Sequence, residues 1–571
     1  MIYRTEHPKP QFRRDGWRNL NGLWAFEIDR ADSGEERGYF APDAPLSREI
    51  NVPFCPESRL SGIADRDFMA AVWYRRSFTL TETEAAGRVV LHFGAVDYLA
   101  TVAVNGTICG THKGGYVSFS FDITELVHAG ENVVTVRAQD NSRNPLIPHG
   151  KQSGRYASYG CYYTRTTGIW QTVWLEFTPK AYLASARYET NRDPALLTIS
   201  AQVVGTGTLT AAAFFEGAAM GTAQAYTTGG NVVLAVPLAE AHLWELGKGG
   251  LYDLELTFGE DRVHSYFGLR TIQYQDRRFL LNGRPVFQRT VLDQGFYPEG
   301  IYTAPSDEEL EADIDRSMAM GFHGARLHEK VFEERFLYHC DRKGYLVWGE
   351  FPNWGLDHSR PESVYGMLPE WLEEIRRDRN HPAIIGWCPF NETWDVDGRK
   401  QHDDLLALVY HATKAADPSR PCIDVSGNFH VVTDVYDIHD YVQDPEEFAR
   451  RYAGLAVDGT ISGPQAFPDR QRYDGKAPFF LSEFGGIRWT DDQGGWGYGD
   501  APATREEFLA RLKGLVDALM DNPGVMGLCY TQLTDVEQEQ NGLYTYDRRP
   551  KFPPEEIAPI FSRPAAIEAD A

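Results

Sequence analysis

Along the first part of the chain, apolar and polar positions alternate with the period of a strand. Val117, Phe119 and Phe121 are interleaved with Ser118 and Ser120, which predicts a half-buried strand. Tyr98 to Val104 is a β-branched run that stops at Asn105-Gly106, the dipeptide favoured by two-residue hairpin turns. The stretch GIWQTVWLEF, Gly168 to Phe177, predicts another strand. Long helical periodicity is lacking, so residues 1–180 predict a jelly-roll β-sandwich. From 181 to 270 the composition shifts to Ala, Gly and Thr. Short apolar strands such as Leu197 to Val203 and Tyr252 to Phe258 are separated by turn signals at Gly205, Gly229-Gly230 and Gly249-Gly250. That pattern predicts a small immunoglobulin-like β-sandwich, and with no catalytic cluster in it, a support.

From 271 to 571 the pattern switches to alternating strands and helices. Candidate strands begin near Val286, His323, Tyr345, Ala383, Cys422, Val435, Phe479 and Val525. Ser306 with Glu309 predicts a capping box, followed by Ile314 and Met318 at helical spacing and a stop at Gly321. A second helix runs from Phe332 to Lys343 and is closed by Gly344. Eight such strands predict a (β/α)8 TIM barrel. The connection from Val442 to Pro478 is long and rich in Pro, Gly and Asp, as a rim or lid would be.

Composition narrows the function. Lys plus Arg is 56 and Asp plus Glu is 81 in 571 residues, a formal net charge of −25. Such a surface disfavours nucleic acid or an anionic membrane as partner. The seven cysteines are scattered, with neither a disulfide framework nor Cys/His ligand spacing. No apolar leader or membrane-length stretch is present. A cytoplasmic setting and a homo-oligomer are expected, with no metal and no cofactor.

In a barrel of this kind the chemistry sits at the C-terminal ends of the strands. The second strand ends in Arg326, His328 and Lys330, the third in Glu350, and the eighth in Gln532. The fourth is the centre of the chain: the apolar run in HPAIIGWCPFNETW closes on Asn391-Glu392, with Trp394 beyond. The sixth ends in His439-Asp440-Tyr441, and the seventh in Glu483. Carboxylates therefore close the fourth and seventh strands across the barrel mouth. A carboxylate after a buried strand needs a partner or a raised pKa, and a raised pKa is what a general acid needs. Two carboxyl groups facing one another are the constellation for glycoside hydrolysis. Bland readings compete for the neighbours. Arg326 with Glu350 fits a structural ion pair as well as a substrate contact, and His328 fits a satisfied buried histidine better than a metal ligand. Trp394 is a candidate sugar platform.

On these motifs the chain resembles glycoside hydrolase family 2, the β-galactosidases, β-glucuronidases and β-mannosidases. WRNLNGLWAFEID (Trp17 to Asp29), VWYRRSF (Val72 to Phe78) and GIWQTVWLE (Gly168 to Glu176) look like the signatures of its first domain. The family's domain order matches the order read above. The resemblance implies Glu392 as acid/base, Glu483 as nucleophile, Asn391 on the sugar 2-hydroxyl and Tyr441 ordering the nucleophile. It implies a retaining, exo-acting hydrolase of a terminal glycoside.

The departures bear on the sugar. The Glu-x-His pair of magnesium-dependent β-galactosidases is missing from GEFPNWGLD. Tyr162 stands where several members have an acidic residue. The Asn-x-Lys motif with which β-glucuronidases hold the sugar carboxylate is replaced by Asn541-Gly542-Leu543-Tyr544. A buried sugar carboxylate without a cation is expensive to desolvate. A neutral, β-galactosidase-like terminal sugar is therefore expected. Next come β-D-galactofuranosides or α-L-arabinofuranosides, and β-glucuronides after those. A different class, a non-catalytic carbohydrate-binding protein on an idle barrel, is set against all of these.

Overall fold

The computed structural model describes residues 2–569. The first part is two antiparallel sheets packed face to face. One has four strands, in the order Trp17–Asn19, Val173–Thr178, Arg88–Phe93 and Phe119–Asp122. The other has six, in the order Arg48–Val52, Gly22–Asp29, Ala71–Leu80, Gly130–Gln139, Leu99–Val104 and Thr107–Lys113. Trp24, Phe26, Tyr74, Leu91, Phe93 and Val136 meet in the core between them. The predicted hairpin forms as read: Asn105 and Gly106 carry φ values of 51° and 82°, the left-handed pair of a tight turn. The GIWQTVWLEF stretch does not run as one strand. Gly168–Ile169 pairs with Val96–Asp97, and pairing resumes only at Val173. A short helix the periodicity missed, Glu82–Ala86, is closed by a full capping box from Thr81 and Glu84.

The middle part has a three-stranded and a four-stranded antiparallel sheet, built from Tyr182–Arg192 through Asp261–Gly268. From Asn231 to Pro237, within the strand Gly230–Pro237, exposed and buried residues alternate, the signature of a sheet with one wet face. A three-stranded ribbon (Ile272–Gln275, Arg278–Leu281, Arg284–Pro285) precedes the barrel and had no clear sequence signal.

The barrel strands are Gln288–Asp293, Gly324–Leu327, Leu346–Glu350, Ile384–Cys388, Tyr436–Asp440, Phe479–Gly485 and Val525–Thr531. They form one parallel sheet, in the spatial order fourth, third, second, first, eighth, seventh, sixth. The helices lie between them as expected. Ser306 caps Asp307–Ala319 by accepting from Glu309 N, while the Glu309 carboxylate accepts instead from Arg316. Gly344, at φ 67°, ends Glu334–Lys343.

The fifth place departs from expectation. Cys422 to Ser426 follows the fourth strand through single bridges at Trp387 and Asn391 but forms no extended strand. Side chains stand where a ladder toward the sixth strand would be. Ser426 Oγ donates to Asp437 Oδ2 (2.6 Å), and Asp424 Oδ2 accepts from Val431 N and Val432 N (2.6 and 2.9 Å). A tight turn at Gly427 to Phe429, with φ 47° at Phe429, therefore lies beside the barrel mouth. The long Val442 to Pro478 connection contains a helix, Pro445–Tyr452, and two 3-10 turns.

One segment of the first part reaches out from its sandwich while staying tied to it, Gln152 Nε2 donating to Asp97 Oδ2 (2.7 Å) and Thr167 Oγ1 to Glu57 Oε1 (2.6 Å). Residues 140–167 lie across the barrel rim. His149 N donates to Trp354 O (2.9 Å) and Asp357 N to Pro145 O (2.8 Å). Trp496 Nε1 donates to Gly160 O (2.8 Å), and Tyr163 OH donates to Glu539.

Candidate active site

Glu392 follows the fourth strand in a left-handed conformation, φ 47°, which strains a side chain with a Cβ. The surrounding bonds hold it there. Its N–H donates to Ser426 O (2.9 Å). The preceding residue is clamped by an amide: Asn391 N donates to Asn353 Oδ1 (2.7 Å) and Asn353 Nδ2 to Asn391 O (3.1 Å). Trp354 Nε1 adds a third bond to the same carbonyl (3.0 Å). Asn353 and Trp354 come from the loop after the third strand, and nothing in their spacing announced this role.

Glu483 lies inside the seventh strand, where the register slips against both neighbours. Such irregularities re-aim a side chain. The result brings the two acids together: one carboxylate oxygen of each, and a ring nitrogen of His439, all lie within 4.8 Å of one another. That separation suits direct attack on a sugar carbon and leaves no room for the intervening water of an inverting site.

The two carboxylates have different surroundings. Glu483 is 5% exposed. Its Oε1 lies 3.2 Å from Arg326 Nη1, 3.4 Å from His439 Nε2 and 3.9 Å from His328 Nδ1, and its Oε2 accepts from Tyr441 OH. Burial alone would raise its pKa. The charges of His439, His328, Arg326 and Lys151 outweigh burial and hold it at about 2. Glu392 is the more open of the pair, with a fifth of its side chain exposed, and His439 Nδ1 at 2.7 Å is its contact toward the centre. His439 sits between the two. Burial works against its charge, but Glu483 and Glu392 raise its pKa.

Beneath the acids runs a charged layer. Arg326 Nη2 donates to Glu350 Oε2 (2.6 Å) and to Asn391 Oδ1 (3.0 Å), and its Nη1 donates to Ser482 O (2.8 Å). His328 Nδ1 lies 2.8 Å from Glu350 Oε1. Arg326 and Glu350 are each 1% exposed, so the ion-pair reading is realised and their contacts are with the acids' own supports. Tyr441 stacks on Tyr498 at 3.4 Å, a residue from the loop after the seventh strand.

Other expected site residues lie apart. Lys330 Nζ donates to the backbone carbonyls of Gly295 and Tyr302 inside a cage that includes Trp170 and Phe332. Burial lowers its pKa to about 7. It fastens the barrel to the GIW motif and does not reach the acids. Gln532 is tied to Asn541 Oδ1 (2.7 Å) and Gln294 (2.5 Å). Trp394, 49% exposed, forms an outer rim with Phe429 and Phe467 at ring distances of 5.8 and 6.3 Å.

Glu392, His439 and Glu483 are also the one converging group of three metal-ligating side chains among the described residues. Their mutual hydrogen bonding already uses the imidazole. His439 was legible only as a polar residue at a strand end. Lys151, Glu539 and Tyr498 come from loops and carried no signal.

Two family models match the chain. The sugar binding domain of glycosyl hydrolases family 2 matches residues 17–179, and the TIM barrel domain of the same family matches 272–454. The β-glucuronidase of Felis catus is 28% identical over 495 residues, covering 75% of this chain and 70% of that protein. A β-galactosidase of Thermoanaerobacter pseudethanolicus is 27% identical over 405 residues, covering 67% and 52%. Among solved structures, a Ruminococcus gnavus β-glucuronidase in complex with D-glucuronic acid superposes with a TM-score of 0.79 at 20% identity, over 98% of this chain and 100% of that one. A Lactobacillus rhamnosus β-glucuronidase gives 0.80 at 21%, over 98% and 99%. At such identities the structural likeness speaks for the fold.

Proposed function

The chain belongs to glycosyl hydrolase family 2 and is a retaining O-glycosyl hydrolase, and from that premise we propose that it removes a terminal sugar by a double displacement run by Glu483 and Glu392. A Glu483 oxygen attacks the anomeric carbon as the bond to the leaving oxygen breaks, and Glu392 gives that oxygen its proton. Water then attacks the same carbon, Glu392 takes the water's proton, and the ester bond to Glu483 breaks to free the sugar. The observation that carries this reading is the convergence of the two carboxylates within 4.8 Å, one deeply buried amid positive charge and the other more open.

The remaining roles are part of the proposal. Tyr441 and Arg326 orient the nucleophile from two sides, and both bonds favour its ionised form. Asn391, held on its far side by Arg326, takes the sugar 2-hydroxyl. His439 keeps the two carboxylates from repelling one another in the empty site. Trp394 with Phe429 and Phe467 receives the aglycone side. Divisions near residues 180 and 270 separate the jelly roll, the immunoglobulin-like support and the barrel, with the 140–167 segment serving the barrel's site.

A neutral, β-galactosidase-like terminal sugar is the finer reading supported around Asn541. Asn541 is buried, and both its amide atoms are engaged by Gln532 and Glu539. Arg548 is spent on Asp313 and backbone carbonyls, and Arg549 pairs with Asp547. One observation favours a second reading, an acidic sugar: Lys151, from the first domain, stands 5.2 Å from the ring of Trp354, whose Nε1 donates to Asn391 O. A panel of aryl β-glycosides, with the first-formed sugar followed by proton NMR, tests the reaction. Release of the β-anomer is expected. Release of the α-anomer, or turnover of no glycoside, overturns it.

A further inference from the structure

The side chains that replace a ladder at the fifth barrel place run toward the two acids. Asp424, Ser426 and Asp437 are fully buried. Asp424 Oδ1 lies 2.7 Å from His430 Nδ1. His430 Nε2 lies 3.2 Å from Asp437 Oδ1 and 2.9 Å from Asp437 O. Burial works against the charge of His430, but Asp424 and Asp437 outweigh it and raise its pKa to about 10. Burial also pushes Asp437 up, yet the bond to His430 holds its pKa below the usual carboxylate range. Asp437 Oδ2 then accepts from Ser426 Oγ (2.6 Å), and Ser426 Oγ lies 3.0 Å from His439 Nε2. On the other side of that ring, Nδ1 lies 2.7 Å from Glu392 Oε1.

The order of these contacts fixes where the protons sit. A hydroxyl has one proton to give. Ser426 gives it to the ionised Asp437, which is nearer than the Ser482 hydroxyl at 3.3 Å and bonds more strongly. Ser426 Oγ is then an acceptor toward His439, so Nε2 carries a proton. Glu483 Oε1 is farther from that nitrogen, 3.4 Å against 3.0 Å, so the serine draws this proton away from the nucleophile. Arg326 Nη1 faces the same nitrogen at 3.5 Å but donates to Ser482 O at 2.8 Å. Nδ1 is therefore left as the ring nitrogen that gains or loses a proton, and it faces Glu392. The ring is packed against Gly427, where an added Cβ would lie 2.4 Å from Nδ1. Ser426 also holds the acid's backbone, its O accepting from Glu392 N (2.9 Å).

We propose that Ser426 and Asp437 are positioning residues for the acid/base step, holding His439 so that its Nδ1 stores and returns the proton that Glu392 exchanges with the leaving group and with water. This rests on the hydrolase reading above. In the resting site the contact between Glu392 and His439 holds one proton besides the one on Nε2. That proton passes to the leaving oxygen as its bond to the anomeric carbon breaks. The attacking water later returns a proton to the same contact, as its oxygen bonds to the carbon and the ester to Glu483 breaks. Nε2 keeps its proton throughout. Burial disfavours charge on the ring, Glu483 and Glu392 favour it, and Arg326 opposes it, with the pKa raised on balance.

The test is the pH profile of kcat/KM, whose basic limb reports the essential acid of the free enzyme. In wild type that limb should lie above about 6.5, the ordinary imidazole value. Ser426→Ala removes the acceptor for the Nε2 proton and leaves the backbone bonds in place. It should lower kcat/KM on alkyl glycosides roughly 10-fold, move the basic limb down by about half a pH unit, and cost little on dinitrophenyl glycosides. The sign follows from the acceptor: without it the protonated ring is less stable, so the proton is lost at lower pH. Ser426→Thr keeps the hydroxyl and should keep the limb. Asp437→Asn removes the anion behind the serine and should move the limb the same way by about one unit. A limb that stays in place in Ser426→Ala or in Asp437→Asn, with equal losses on both kinds of leaving group, overturns the positioning role and leaves the hydrolase intact. A wild-type limb below about 5, where an unaided carboxylate titrates, overturns it without any variant. Hydrolysis of no glycoside overturns both readings.

Discussion

The ends of the seventh and fourth barrel strands carry the same side chain in opposite settings. At Glu483, Arg326, His439, His328 and Tyr441 crowd a carboxylate with almost no exposure. At Glu392, one imidazole faces a carboxylate that is partly open to solvent. A glutamate in the first setting stays ionised and fixed, as a nucleophile must. A glutamate in the second, open to solvent on one side, suits the proton-transfer role proposed for it. The chemical type of the residue does not tell the two apart; its neighbours do.

The sharpest way to break this contrast is to remove the crowded acid. Glu483→Ala should lower kcat by at least about 10⁴-fold, because no covalent intermediate can form. Azide should restore turnover as a glycosyl azide of inverted configuration, since the vacated space lies on the nucleophile's face. An azide product of retained configuration would exchange the two assignments.

Removing the open acid should cost less and depend on the leaving group. Glu392→Ala should lose roughly 10²–10⁴-fold on alkyl glycosides, the range for a general acid, and much less on dinitrophenyl glycosides, which leave without a proton. Azide should here give the retained product. An equal loss across leaving groups would remove Glu392 from the acid role.

The smallest change blurs the two settings. His439→Asn keeps a donor near Glu392 and removes the positive nitrogen near Glu483. A loss of about 10-fold at neutral pH is expected, about 1.4 kcal/mol. Because His439 is the leading cause of the low Glu483 pKa, the acid limb of the kcat/KM profile should move to higher pH in the variant. An unmoved limb would show that His439 does not set the nucleophile's charge. The same linkage acts on stability. The Glu483 pKa is depressed, so its contribution is complete above its unfolded value of about 4.3 and fades as pH falls toward about 2. The His439 pKa is raised, so its contribution is complete below about 6.5 and is lost as pH rises through the folded value.

The sequence alone determined the barrel, the two sandwiches and the pair of carboxylates facing one another at the barrel mouth, because each has a local signature. Alternation along 117–121, Asn105-Gly106, Gly344 after its helix, and carboxylates after apolar runs are all decided within a few residues. Where local signals failed, longer contacts had taken over. The fifth barrel place lost its ladder to the side chains of Asp424 and Ser426, which periodicity cannot foresee. Lys330 was expected at the sugar because it follows a strand end, but backbone carbonyls and aromatic rings from elsewhere bury it. His439 became central only when the fourth, sixth and seventh strands were set side by side. Lys151 lies more than two hundred residues before either acid, on a loop of another domain. Its charge could be counted from the sequence, but its place beside Trp354 and Asn391 was decided by the packing of that loop on the barrel, because an electrostatic partner is chosen by distance in space and not along the chain.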